Sequence, residues 1–254
     1  YFSMNKEGQR FHGKNGLGGQ LCMTNPDVAD IAAKVLESFI IDDRKTLPKE
    51  KWPVIYDISQ LDNTSYLCLC PKCAELSEKE GSDAALVLTF INRIADIIRP
   101  AYPEVVIRTM AYVSSELAPK TMRPAENVLI QICDLYTRSD CYRPLTHEFN
   151  VERRKIFDSW LAKGARIAVW DYWNMGITGV YFDPPRIETM VDAIAEDLRY
   201  YKSIGVEDFF AEAESQLFAN PQNFYDLQFW LGSKLLENPT LDEEKLITDF
   251  MKNH

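Results

Sequence analysis

Two sets of residues in this chain have types and spacing suited to chemistry: acidic residues that follow short apolar runs, and a block of close cysteines. The apolar runs are rich in β-branched residues and bounded by turn-forming ones, the pattern of buried strands. Pro53–Ile58 leads to Asp62 and Asn63, and Val105–Ala111 leads to Tyr112. Val128–Cys133 leads to Asp134, Arg166–Asp171 ends on Asp171 with Tyr172 and Trp173 next, and Val206–Ala213 holds Glu212 with Glu214 just after it. Glycoside hydrolysis needs two carboxyl groups about the scissile bond, one of which protonates the leaving oxygen. Aromatic faces suit stacking on sugar C–H surfaces. Acidic residues at strand ends also cap helices or sit in solvent, so the set carries the reading more than any single member does.

Within that set Asp62 ranks first as a catalytic residue, because Gln60 and Asn63 lie close to it in the chain. Asp171, between Trp170 and Tyr172, ranks second. Glu212 ranks third, since Glu214 has an equal claim to point inward. Asn63, Tyr112, Tyr172, Trp173 and Glu214 are the expected substrate contacts. Such chemistry requires no cofactor.

The cysteine block reads Cys68-Leu69-Cys70-Pro71-Lys72-Cys73, and Cys22 lies upstream. Thiolates at this spacing can share one structural zinc ion, with Cys22 as fourth ligand. Disulfides are the alternative. Three cysteines so close cannot all pair with one another, so at least one needs a partner elsewhere. Thiol catalysis is the weakest reading, because no sequence feature ties His12, His147 or His254 to the block. Cys133 and Cys141 bracket a loop and either pair or stay free. His147 reads as a helix-start residue, and Gly16-Leu17-Gly18-Gly19 lacks the strand and the Lys-Ser/Thr ending of a phosphate loop.

The elements that must position these residues alternate between strand and helix. A Gly-rich segment covers residues 1–24. Asn25 caps a helix with Pro26 at its first position and Val28, Ile31, Ala32, Val35, Leu36 and Phe39 along one side. A second helix starts at Ser82 and carries Leu86, Phe90, Ile94 and Ile97. Further helices are expected over about Val151–Lys163 and from Asp183-Pro184 to Gly205. Two more close the chain, the last opening with a capping box at Thr240-Leu241-Asp242-Glu243. Helices between apolar strands give an α/β fold with parallel pairing, a partial or complete (β/α) barrel in which ligands meet the strand C-termini. About five strands are visible, so residues 25–254 read as one barrel-type domain, the C-terminal part of a larger barrel.

The 254 residues carry 38 acidic and 28 basic side chains, a net charge of −10, and are 46% hydrophobic and 12% aromatic. A phosphate backbone would meet an opposing field, which argues against nucleic acid as a partner. The densest positive run, Arg153-Arg154-Lys155, reads as a helix face. No apolar run is long enough for a membrane span. The chain opens on Tyr1 without an initiator Met, so upstream domains of a longer chain are expected.

Several phrases together are similar to a bacterial family catalogued as domain of unknown function number 4838. They are Gln20-Leu21-Cys22-Met23-Thr24-Asn25-Pro26, Ser59-Gln60-Leu61-Asp62-Asn63 with the cysteine block, Thr109-Met110-Ala111-Tyr112, Asn127-Val128, Val169-Trp170-Asp171-Tyr172 and Lys234-Leu235-Leu236-Glu237-Asn238-Pro239. The resemblance runs from about residue 20 to the end. It implies a glycoside hydrolase-like barrel with its first strands upstream, related to hexosaminidase and α-glucuronidase barrels, in a large secreted or periplasmic bacterial protein. It also implies that Asp62 follows the strand on which related sugar-cleaving barrels carry their acid. The family tends to have Asn where this chain has Leu61, so that polar contact does not carry over. Three functions follow: a glycoside hydrolase, a non-catalytic carbohydrate-binding barrel using the same aromatics, and an interaction module stapled by the cysteines.

Overall fold

The structure is a computed structural model and describes residues 1–14, 17–62, 67–134, 143–173, 187–212 and 225–253. The chain forms two compact units, Tyr1–Cys133 with Ser159–Ala168, and Asp134–Asp158 with Val169–His254.

The first unit opens with a segment read as loop. It contains a short antiparallel pair, β1 (Gly13–Lys14) and β2 (Leu17–Gly18), with further bridges between Phe2 and Leu21 and between Met4 and Arg10. Helix α1 (Pro26–Thr46) starts as expected, the Asn25 side chain accepting from the Asp27 N–H at 3.1 Å. Its apolar stripe divides. Ala29, Ala33, Leu36 and Ile40 are buried, whereas Ile31, Val35 and Phe39 remain 50%, 49% and 60% exposed. Small residues pack α1 against the helix at Ala84–Ile98, and the larger ones line an open apolar pocket of about 440 Å³ with Tyr1, Leu21, Tyr56 and Ile58.

Part of the expected cysteine-rich loop is helix α2 (Pro71–Glu80), begun by Pro71 directly after Cys70. It ends at Gly81, whose left-handed φ of 73° and N–H to the Ser77 carbonyl close the last turn. Helix α3 (Ala84–Ile98) packs on α1, α2 and a strand, so it is buried on most sides.

The strands β3 (Ile55–Asp57), β4 (Val106–Ala111), β5 (Val128–Asp134), β6 (Arg166–Tyr172) and β7 (Asp208–Glu212) are parallel and follow one another in sequence order, as expected. Ile55 lies opposite Val106, and Ile107 opposite Val128. Alternate residues face opposite ways. In the first unit Tyr56 donates to Asp43 of α1 at 2.8 Å, which marks the helix-facing side. Its register partner Ile107, and then Thr109 and Ala111, continue that side and are at most 1% exposed. The other side carries Val106, packed with Leu129 and Ala168, and Arg108, whose guanidinium grips Asp57 through two bonds of 2.7 Å.

The second unit holds α5 (Ile187–Ser203), α6 (Tyr225–Glu237), α7 (Glu243–Asn253) and α4 (Val151–Leu161) as far as Asp158. His147 does stand at a helix start, its Nδ1 accepting from the Phe149 N–H at 3.2 Å. Arg199 of α5 binds Glu243 and the Pro239 and Leu241 carbonyls, tying α5 to the entry of α7. The cap of α7 is Asp242, which accepts from the Lys245 N–H at 3.1 Å, two residues later than the expected cap at Thr240. Thr240 instead donates to Asn238 at 2.7 Å. Asp183 and Pro184 lie outside the described residues.

Gly232 of α6 lies against the Trp173 ring, where an added Cβ would stand 2.4 Å from Cη2. Alanine gains about 1 kcal/mol of helix propensity over glycine, but overpacking a filled core costs about 1–3 kcal/mol. Gly232→Ala is therefore expected to lower stability despite its better propensity, as a shift in the denaturant midpoint would show.

Candidate functional site

In the first unit the chain at Asp62 is fixed by two buried glutamines. The Gln20 amide donates to the Leu61 carbonyl at 2.7 Å and accepts from the Leu61 N–H at 3.1 Å, pairing as a strand neighbour would. Gln60 accepts from the Ser115 hydroxyl at 2.7 Å and donates to the Tyr112 carbonyl at 3.2 Å. The clamp uses only the backbone of Leu61, whose side chain is 46% exposed. Beyond it Asp62 is exposed, its Oδ1 accepting from the Tyr112 hydroxyl at 3.0 Å. Tyr112 follows Met110 at a two-residue step, which puts it on the side of β4 away from the helices. Asn63 lies outside the described residues.

In the second unit the alternation of β6 separates residues that are adjacent in sequence. Trp170 and Tyr172 lie on one side, their rings 6.3 Å apart, and Trp170 also meets Phe210 at 4.4 Å. Glu212 belongs to this side, with its Oε2 accepting from the Trp170 indole N–H at 3.0 Å. Asp171 and Trp173 point the other way. Trp173 is 5% exposed, packed on Phe209, which in turn meets Tyr201 of α5. A ring enclosed in this way offers no face to a sugar, so Trp173 serves the core. Glu214 lies outside the described residues.

Asp171 accepts from the Tyr172 N–H at 2.8 Å and from the Trp173 indole at 3.1 Å. Burial, and next the nearby Asp134 carboxylate, raise its pKa to about 7. Asp197, whose Oδ1 accepts from the Leu145 N–H at 2.6 Å, is also pushed well above the carboxylate range, by burial and then by Asp171. Asp134 takes the fully buried Arg153 at 2.5 Å and the Tyr201 hydroxyl at 3.0 Å. With Asp134 satisfying that cation, desolvation favours protonated forms of its neighbours.

The sulfurs of Cys22, Cys68, Cys70 and Cys73 all lie within 4.8 Å of one another, and every one of these residues is buried. Cys22 Sγ is 3.8 Å from both Cys70 and Cys73. No two of them are bonded as a disulfide. A hydrogen bond from the Cys73 thiol holds Cys68 down at about 4, and the same contact raises Cys73. Cys133 is buried and unbonded by disulfide, and Cys141 lies outside the described residues.

Gln20, Trp170 and the Asp57–Arg108 pair were not singled out from the sequence as site residues. Trp170 carried a usable signal, since it stands two residues before the end of its strand, and so did Arg108, a charged residue inside an apolar run. Gln20 carried none, because its partner is a backbone group 41 residues away.

Because Asp171 and Asp197 have folded-state pKa values above their unfolded ones, folding takes up protons. Stability should then be greatest below the unfolded carboxylate range of about 4 and fall as pH rises through about 7. Asp197→Asn keeps an oxygen for the Leu145 N–H while removing the charge. It should raise the melting temperature at pH 8 by roughly 2–6 °C and change it little at pH 4, which calorimetry across pH would measure.

No curated protein sequence matches the chain. Among solved structures, it is similar to a glycoside hydrolase family 5 enzyme from Prevotella bryantii B14, with a TM-score of 0.53, 8% identity and 90% of this chain covered. A variant of that enzyme in complex with a xyloglucan tetradecasaccharide gives 0.51, 9% and 84%. A GH5-4 broad-specificity endoglucanase from an uncultured bacterium gives 0.50, 11% and 89%. The chain spans 69%, 64% and 67% of those three chains. At such identities the likeness is one of fold alone, that of a (β/α) barrel, with five parallel strands among the described residues of this chain. The family model described as Domain of unknown function (DUF4838) matches residues 1–254, and the chain belongs to that family.

Proposed function

We propose that the chain belongs to a glycan-cleaving barrel whose chemistry is carried by carboxyl groups at the C-terminal ends of its strands. The observation that carries the reading is the side of the second unit formed by Trp170, Tyr172 and Glu212: an aromatic platform beside a carboxylate whose orientation is set by an indole N–H. That combination suits a sugar ring, its C–H face on the aromatics and its polar edge toward the carboxylate. Glu212 is assigned as the carboxylate that attacks or activates water. In the first unit Asp62, held by the Tyr112 hydroxyl, is the carboxyl group assigned to acid–base work. Asp171 acts as a positioning residue, since it fixes the turn of chain after β6 through the Tyr172 N–H and the Trp173 indole. Neither step calls for a cofactor. A polymeric glycan as substrate fits a secreted or periplasmic protein, and among the described residues no helix is long and apolar enough to cross a membrane.

The test is release of reducing ends from a panel of plant and host polysaccharides by the full-length protein. On a substrate so identified, Glu212→Gln and Asp62→Asn should each cut turnover by roughly 10²–10⁴-fold without loss of fold, the usual worth of acid–base assistance. The Asp62→Asn loss should shrink on aryl glycosides with very good leaving groups, which need little protonation. Full activity in both variants would refute the assignment. Glycan binding without cleavage of any substrate would make the carbohydrate-binding reading the better one.

A further inference from the structure

We propose that Cys22, Cys68, Cys70 and Cys73 hold one zinc ion, and that this ion braces the loop presenting Asp62. Four thiolates bound to zinc at about 2.3 Å in a tetrahedron place their sulfurs about 3.8 Å apart. Cys22 lies at 3.8 Å from Cys70 and from Cys73, and the whole set is within 4.8 Å. A disulfide would require about 2.05 Å. All four residues are at most 5% exposed. Four side chains from two distant parts of the chain therefore converge at the spacing of a shared ion, sealed from solvent.

The surroundings suit the negative charge such a centre carries. The Met4 N–H donates to Cys68 Sγ at 3.3 Å, and the Thr24 hydroxyl stands 3.1 Å from Cys73 Sγ. The Arg10 guanidinium lies near enough to interact electrostatically with Cys22. Cys70 precedes α2 and Cys73 sits in its first turn, where the helix dipole favours a thiolate. Donors of this kind orient metal ligands and offset their charge. Thiolate ligands alone, in a tetrahedral set, select zinc or iron among the common metals, and zinc brings no redox chemistry to a site that has no use for it.

The ion would join parts of the chain that nothing covalent connects. Cys22 lies just before α1, and the other three open α2. Gln20, two residues before Cys22, carries the amide that clamps the Leu61 backbone. Fixing Cys22 to the α2 entry thus fixes Gln20, and through it the chain that leads into Asp62. The metal itself does not touch the sugar, so its presence is testable whether or not the glycan-cleaving reading holds.

The full-length protein, purified under reducing conditions, should contain one zinc per chain by elemental mass spectrometry. Exchange for cobalt should produce thiolate-to-cobalt charge-transfer absorption. Cys22→Ser and Cys70→Ser should each lose the metal, and Cys133→Ser, outside the cluster, should retain it. Should those variants fail to fold, stripping zinc from the wild-type protein provides the second measurement. Hydrogen exchange at the Leu61 amide should rise by about tenfold or more, the mark of a clamp loosened locally, while β5 amides change far less. Absence of stoichiometric zinc, iron in its place, a disulfide among the four cysteines, or full zinc in Cys70→Ser would each overturn the site. Unchanged exchange at Leu61 after removal of the metal would overturn its bracing role.

Discussion

The constraint on which the rest of this structure depends is the two-residue alternation of parallel strands that carry helices on one side only. Every second residue enters the helix interface and is buried there, as Ile107, Thr109 and Ala111 illustrate. The residues between them are free of that interface and can be charged, as Arg108 and Asp57 are. Chemistry at the strand ends is therefore sorted by parity before any question of residue type arises. On β6 the same rule parts Asp171 from its neighbours in sequence. Trp170 and Tyr172 take one side with Glu212, and Asp171 takes the other among Trp173, Asp134 and Asp197. A raised pKa on Asp171 then reflects desolvation against the helix layer more than preparation for catalysis.

Away from the strands, position is held by polar groups that pair with backbone. Gln20 substitutes for a strand neighbour at Leu61, and Gln60 does similar work between Tyr112 and Ser115. Buried amides with all their groups paired are costly to disturb, because an orphaned partner retains its full desolvation penalty. Such clamps suit a loop that must present an exposed carboxylate at a fixed point without the support of a regular element. The four buried sulfurs gather two residues along from Gln20, at Cys22.

Much of the fold was legible because it rests on local signals. Five apolar runs became five strands in the expected order, and Asn25-Pro26 started α1 as read. Helix α2 was missed because its polar composition hides an apolar period, although Pro71 and Gly81 mark both of its ends. The stripe of α1 was read too broadly, since periodicity cannot say which of two adjacent apolar sides meets α3. The cap of α7 slipped from Thr240 to Asp242 because both residue types can cap a helix, and the Thr240 hydroxyl is taken up by Asn238. Convergence of the cysteines was legible from spacing. The parity of Asp171 and Trp173 was also written in the sequence, and was overlooked because neighbouring residues were read as one cluster.

The sharpest test of that sorting is fluorine NMR on protein labelled with fluorotryptophan, titrated with an oligosaccharide that the protein recognises. The chain has five tryptophans, and the two on β6 and just after it lie on opposite sides of the strand. The account predicts that the Trp170 resonance shifts on binding while those of Trp173 and Trp160 stay in place. A shift confined to Trp173, with Trp170 unmoved, would contradict it.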